Sequence, residues 1–268
     1  MAAYINIENI SFKYLQKQQI NIFEDISFNV NKSEIFYLLG PNGTGKSTML
    51  KCLSGILHIQ KGHITLEGKN INSFKHADLA KKIAYVPQSH TSVFPFLVRE
   101  IVVMGRSPHI SSFSSPKKAD IDAAEEAMNT VGVSHIADRP CSNTSGGEWQ
   151  LVLIARALAQ NPEIMLLDEP TSHLDLGNQI KILNVIHNLA AKGLTIITAT
   201  HFPDHAFIKS NKVAILKDRH LLDIGVSEQV ISEQNMKKAY GVDVKIIHIE
   251  NGIDRKLCVP VLTNSISA

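Results

Sequence analysis

Residues 35–48 read IFYLLGPNGTGKST, and their order carries the fold. The first five form a continuous apolar run, the pattern of a short strand buried on both faces of a sheet. The rest fits G-x-x-x-x-G-K-S/T at every required position. Gly40, Gly43 and Gly45 let the backbone turn tightly and aim its amides inward. A helix is expected from Lys46 to about Leu57, with the equivalent of about half a positive charge at its start. Strand, glycine loop and helix in that order make a phosphate cradle. Pro41, Asn42 and Thr44 complete its wall, and Lys46 reaches toward β- and γ-phosphates. The Ser47 hydroxyl suits Mg2+, and Thr48 can bond a phosphate. The loop alone does not choose among kinase, GTPase and transport ATPase.

Moving outward, residues 4–12 and 20–30 alternate roughly and read as strands. Short apolar strands follow at 83–86, 164–167, 194–200 and 213–216. Helical spacing marks 97–105, 121–131 with Asp120 as its cap, 147–160, and 177–192 closed by Gly193. A hairpin is expected about Asn251-Gly252. Short strands alternating with helices imply an α/β fold with a mainly parallel sheet, and residues 89–163 read as a helical insertion.

The strand at 164–167 runs into Asp168-Glu169. Acids at the carboxyl end of a parallel strand point into the crevice where ligands bind. Asp168 can hold Mg2+, and Glu169 stands where it can polarise a water attacking a γ-phosphate. A solvated turn after a core strand is the competing reading, and the phosphate loop upstream weakens it.

Bulk properties exclude several classes. The 268 residues are 44% apolar and 19% charged, an ordinary globular composition. A net charge of +2 and 6% aromatics give no footprint for nucleic acid. Cys52, Cys141 and Cys258 are too scattered for a disulfide framework or a structural zinc, and Cys52 reads as a packed apolar residue. The N-terminus lacks the pattern of a secretory signal, and no apolar run is long enough to cross a bilayer. A membrane role therefore requires a partner.

Residues 143–150, NTSGGEWQ, are followed by LVLIARALAQNP, and residues 169–176 read EPTSHLDL. In this order the segments resemble an ABC ATPase over residues 5 to about 225. The resemblance implies a P-loop NTPase (RecA-like) core with an antiparallel β subdomain and a helical insertion. The core would take residues 1–88 and 164–235, the helical subdomain 89–163, and a tail 236–268. It further implies a head-to-tail homodimer in which each ATP–Mg2+ lies between one phosphate loop and the partner's signature motif. Ser145, Gly146, Gly147 and Glu148 would hold the partner's nucleotide, with the glycines allowing close backbone approach. Asp175 would line the dimer interface, and Gln88 would touch Mg2+ and water. His201, one residue beyond a buried strand, would contact the γ-phosphate and order the attacking water. Tyr14 would stack on adenine, or serve as an ordinary strand aromatic. Two positions depart from the family's signature: Thr144 replaces a Leu, and Glu148 replaces a Gln and brings a carboxylate to the nucleotide.

Residues 96–109, FLVREIVVMGRSPH, resemble ATPases of importers for iron–siderophore, haem and cobalamin, and those of the molybdate type. There the insertion forms the groove that takes the permease's coupling helix; Phe94 and Phe96 belong to that groove or to the insertion's core. The interval from Gln88 to Ser145 is too short for the coiled arm of chromosome-maintenance relatives, and only one cassette is present. The expectation is an import ATPase on the cytoplasmic face of the inner membrane, with permease and substrate-binding protein as partners. A soluble ABC ATPase without a permease, and a P-loop kinase or other nucleotide-binding module, are the alternatives.

Overall fold

The computed structural model describes residues 4–14, 20–88, 95–111, 114–250 and 255–261. The chain opens with β1 (Ile5–Phe12), β2 (Phe23–Val30) and β3 (Ile35–Leu39), then α1 (Lys46–Leu53). Next come β4 (Lys61–Leu66), β5 (Lys69–Asn70), α2 (His76–Lys82) and β6 (Ile83–Val86). The helices α3 (Val98–Val103), α4 (Lys118–Val131) and α5 (Gly146–Ala159) follow, packed against one another. The chain returns to the sheet with β7 (Ile164–Asp168), α6 (Leu176–Ala191), β8 (Thr195–Thr200) and α7 (Pro203–Lys209). It ends with β9 (Lys212–Lys217), β10 (His220–Gly225), α8 (Ser227–Val230), α9 (Glu233–Tyr240), β11 (Val244–Ile249) and β12 (Arg255–Pro260).

Six strands form the central sheet in the order β10-β9-β3-β8-β7-β6, all parallel except β10. The strand beginning at Ile35 lies at its middle, between β8 and β9, with Ile35 opposite Ile196. All five of its residues are buried, as the unbroken apolar run requires. Tyr37 and Leu39 join a core with the insertion helices, while Phe36 and Leu38 join a second core with α1 and the antiparallel sheet β2-β1-β4-β5. Each such side chain contributes about 1.5–3 kcal/mol on burial, so both faces anchor the phosphate-loop strand. The loops bearing the phosphate cradle, Glu169 and His201 leave the carboxyl ends of β3, β7 and β8, which are neighbours.

Several expectations need correcting. The first helix ends at Leu53 rather than Leu57, because Gly55 (φ +75°) turns the chain where Leu79 packs. Asp120 is not a cap residue: α4 starts at Lys118, and the Asp120 carboxylate accepts the Lys117 N–H at 3.0 Å. The segment 97–105 divides into α3 and a 3-10 turn, Met104–His109. The proposed strand 20–30 begins only at Phe23. Asn251-Gly252 lies outside the described residues, but β11 and β12 on either side pair antiparallel, Ile247 opposite Leu257.

Candidate nucleotide site

Helix α1 has Gly45 as its N-cap, held at φ +99°, with no side-chain cap hydrogen bond and no acid in its first turn. Glycine is needed there, since a Cβ would lie 2.7 Å from Ile22 Cγ2. The first N–H groups of α1 are therefore not capped by a side chain of the helix, the arrangement that suits an anion. Lys46, 5% exposed, donates to the Gly40 and Pro41 carbonyls at 2.8 and 3.0 Å, and its Nζ lies 3.5 Å from Glu169 Oε1. Burial lowers its pKa from the ordinary lysine value. Thr44 closes the same turn by donating to the Pro41 carbonyl.

At the end of β7, Asp168 accepts from Ser47 Oγ at 2.9 Å and from the Tyr85 hydroxyl at 3.0 Å. Burial raises its pKa above the usual aspartate value. Ser47 and Asp168 thus bring a hydroxyl and a carboxylate together, and Gln88 shares a cleft wall with Ser47. This all-oxygen set fits Mg2+. Glu169 has φ +48°, a conformation costing on the order of 1 kcal/mol for a residue with a Cβ, and its N–H is held by the Ala199 carbonyl at 2.9 Å. That turn buries the carboxylate to 7% exposure and puts Oε2 2.8 Å from His201 Nδ1 and 3.3 Å from Ser172 Oγ. A carboxylate between a cation and an imidazole can order a water and take a proton from it.

These groups surround a cleft of about 490 Å³, with Gly43, Lys46, Ser47, Gln88, Glu169 and His201 in its wall. Tyr14 is outside that wall. It is 41% exposed, packs edge-on to Phe12 at 5.0 Å, and its hydroxyl lies 3.2 Å from Thr48 Oγ1.

Ser145, Gly146, Gly147, Glu148 and Asp175 do not line the cleft either. Ser145 caps α5: its Oγ accepts the Glu148 N–H at 3.2 Å, while Glu148 accepts the Ser145 N–H at 2.8 Å. This reciprocal box gives Glu148 a local purpose. Its other oxygen meets Arg139 at 3.0 Å, and its pKa is lowered, first by the Ser145 N–H. Asp175 caps α6 by accepting the Asn178 N–H and side-chain amide, both at 2.8 Å. A Cβ on Gly147 would lie 2.3 Å from Asn178 Cγ, whereas one on Gly146 would make only a 3.4 Å contact with Leu174. Packing within the chain therefore requires the second glycine, a constraint additional to ligand approach.

Sequence reading missed Tyr85, whose role depends on β6–β7 register, and Phe202, which lies in the cleft wall with its ring 3.9 Å from that of His201. A larger cavity, about 1170 Å³, lies in the insertion, walled by Val103, Met104, Ile121 and Met128 among others. Its wall includes no phosphate-loop residue and neither Asp168 nor Glu169. Phe96, read as a groove residue or as part of the insertion's core, is 43% exposed and not in this cavity's wall; Phe94 lies outside the described residues.

A glycine loop opening a helix, beside an acidic strand end and a histidine, defines an ATPase of the phosphate-loop class. Residues 23–172 match the ABC transporter family. The molybdate import ATP-binding protein of Haemophilus influenzae is 36% identical over 233 residues, covering 87% of this chain and 86% of its own length. The iron(3+)-hydroxamate import ATP-binding protein of Bacillus subtilis is 37% identical over 227 residues, 84% of each chain. A solved metal-chelate type ABC transporter in an inward-facing conformation superposes with a TM-score of 0.86 at 32% identity, covering 97% of this chain and 98% of that one. The chain belongs to the ABC transporter ATPase family.

Proposed function

We propose that this ATPase drives an importer of metal chelates (iron–siderophore, haem or cobalamin) or of molybdate-type anions, working as a head-to-tail homodimer. The observation that carries the catalytic reading is Glu169, buried between Lys46 and His201 beside Asp168. The names of its relatives support the cargo class. Lys46 and the α1 amides grip the phosphates of ATP, and Tyr14 flanks adenine. Glu169 takes the proton of the attacking water, while His201 and Gln88 hold that water and the γ-phosphate in line. Mg2+, held by Ser47, Asp168 and Gln88, would supply charge neutralisation on the phosphates. Ser145, Gly146, Gly147 and Glu148 serve the nucleotide on the partner copy, with Asp175 at the interface. Closure of the pair moves a membrane permease between its access states, and the apolar groove of the insertion receives the permease's cytoplasmic helix. A substrate-binding protein would deliver the cargo.

Among the described residues no helix is long and apolar enough to cross a membrane. The protein would sit peripherally on the cytoplasmic face of the inner membrane, held by the permease. Glu169→Gln tests the mechanism: turnover should fall by about a thousandfold, ATP binding should persist, and size-exclusion chromatography should show an ATP-dependent dimer. Ordinary turnover would remove Glu169 from the role. A pull-down of the tagged chain from detergent-solubilised membranes tests the setting. A polytopic permease supports the importer, whereas ribosomes or repair proteins alone would favour a soluble ABC ATPase.

A further inference from the structure

His205 has no part in the mechanism above, yet it is buried behind its reacting pair, 8% exposed. The ring of His201 packs on Phe202 at 3.9 Å between centroids, tilted by 39°, and Phe202 packs on His205 at 5.1 Å, tilted by 47°. From the other side, His205 Nδ1 lies 3.4 Å from Oγ1 of Thr171, which is 1% exposed. Thr171 belongs to the turn that leaves Glu169, closed by the Ser172 N–H on the Glu169 carbonyl at 3.1 Å. The contacts form a ring: Glu169 to His201, through Phe202 to His205, across to Thr171 and back along the backbone to Glu169.

The C-terminal hairpin braces this ring from outside. Asp204, next to His205 on α7, accepts the Cys258 N–H of β12 at 2.7 Å. Burial, then the Arg255 cation of the same strand, push the His205 pKa down to about 4. At neutral pH the imidazole is uncharged and has one donor and one acceptor nitrogen. A neutral ring can bond the buried Thr171 hydroxyl without placing a second cation behind Glu169.

We propose that His205 is a positioning residue for hydrolysis: it links the turn after Glu169 to the helix that follows His201, and it brings the hairpin β11–β12 to bear on that pair. The inference rests on the roles given above to Glu169 and His201. An ordinary packing histidine would matter for stability alone, and kinetics separates the two roles. Positioning acts on the reacting geometry, where misplacement by about 1 Å costs up to about a hundredfold, so it moves kcat and leaves ATP binding in place.

The test compares His205→Phe, which keeps ring volume and loses the nitrogens, with Thr171→Val, which removes only the hydroxyl. Steady-state kinetics should show kcat down by about tenfold in each, with KM for ATP within about twofold of the parent. The double variant should be no slower than the slower single, as expected of two partners in one contact. His205→Gln, which can still bond Thr171, should recover part of the rate. Parental kcat in both single variants overturns the inference. So does a fall in kcat matched by a rise in KM and a lower melting temperature. If His205→Phe fails to fold, Thr171→Val decides alone. Glu169→Gln, measured in parallel, separates the layers: if it turns over normally, the reading of Glu169 fails first; if it is dead while His205→Phe and Thr171→Val are unimpaired, only the positioning role fails.

Discussion

The phosphate loop and the signature loop are both glycine-rich and both open a helix, but they prepare their helix starts differently. At α1 the cap is Gly45, no side chain bonds as a cap, and the buried Lys46 cation stands in its first turn, with the Asp168 and Glu169 carboxylates on Ser47 and Lys46. At α5 the cap is Ser145, and Glu148 folds back to satisfy the Ser145 N–H. One end leaves its first donors uncapped, and the other has bonded two of its own, the Ser145 and Glu148 N–H groups. Both loops read alike by composition, yet only the first opens its helix without a side-chain cap, as an anion site within a single chain requires. The second can contribute only when a nucleotide is brought to it, consistent with the proposed head-to-tail pair.

Four substitutions would break or sharpen this contrast. Lys46→Ala removes a charged donor from the open end, and should weaken ATP binding about a hundredfold by calorimetry, the ratio given by about 2.7 kcal/mol. An unchanged affinity would mean that the amides alone hold the nucleotide. Gly147→Ala strikes the closed end through Asn178 and should destabilise the fold by about 2 kcal/mol in denaturant titration. Gly146→Ala, which meets only a 3.4 Å contact, serves as the control and should cost clearly less. Equal costs would show that the loop moves aside.

Glu148→Gln gives the smallest effect, within about 0.5 kcal/mol, since glutamine can keep the capping box and only an exposed ion pair with Arg139 is lost. Its pH dependence is sharper. The Glu148 pKa is depressed in the folded chain, so its contribution is present above the ordinary glutamate pKa and lost as pH falls through the depressed value. The Gln variant should lose less stability over that acid window, read from melting curves. An unchanged acid limb would show that the carboxylate does not sustain the cap.

How much of this was legible in the chain depends on how local each device is. The phosphate loop spans consecutive residues, so its strand, turn and helix could be read directly. Asp168 and Glu169 were legible because an apolar strand delivers them to the crevice. Asp120 misled because an acid in the first helical turn bonds the preceding N–H much as a cap does. Strand β4 was missed because its first three residues are exposed and supply no apolar alternation. Helix α2 has one buried residue, Leu79, too few for a helical stripe. Tyr85 and His205 act through partners 83 and 34 residues away, and only the closed fold brings those partners within reach. The Gly147 contact with Asn178 likewise exists only once α5 meets α6.

The central place of β3 also sets a timetable. Its sheet partner Ile196 follows Ile35 by about 160 residues, and its other neighbour is β9, later still. At about 5–20 residues per second, a ribosome needs roughly ten to thirty seconds to deliver that partner. Through that interval the nascent chain carries IFYLL and its glycine loop with neither flanking strand made. The nucleotide cradle is thus encoded early and completed late, and a newborn chain depends on holding that apolar strand out of aggregates until its centre can close.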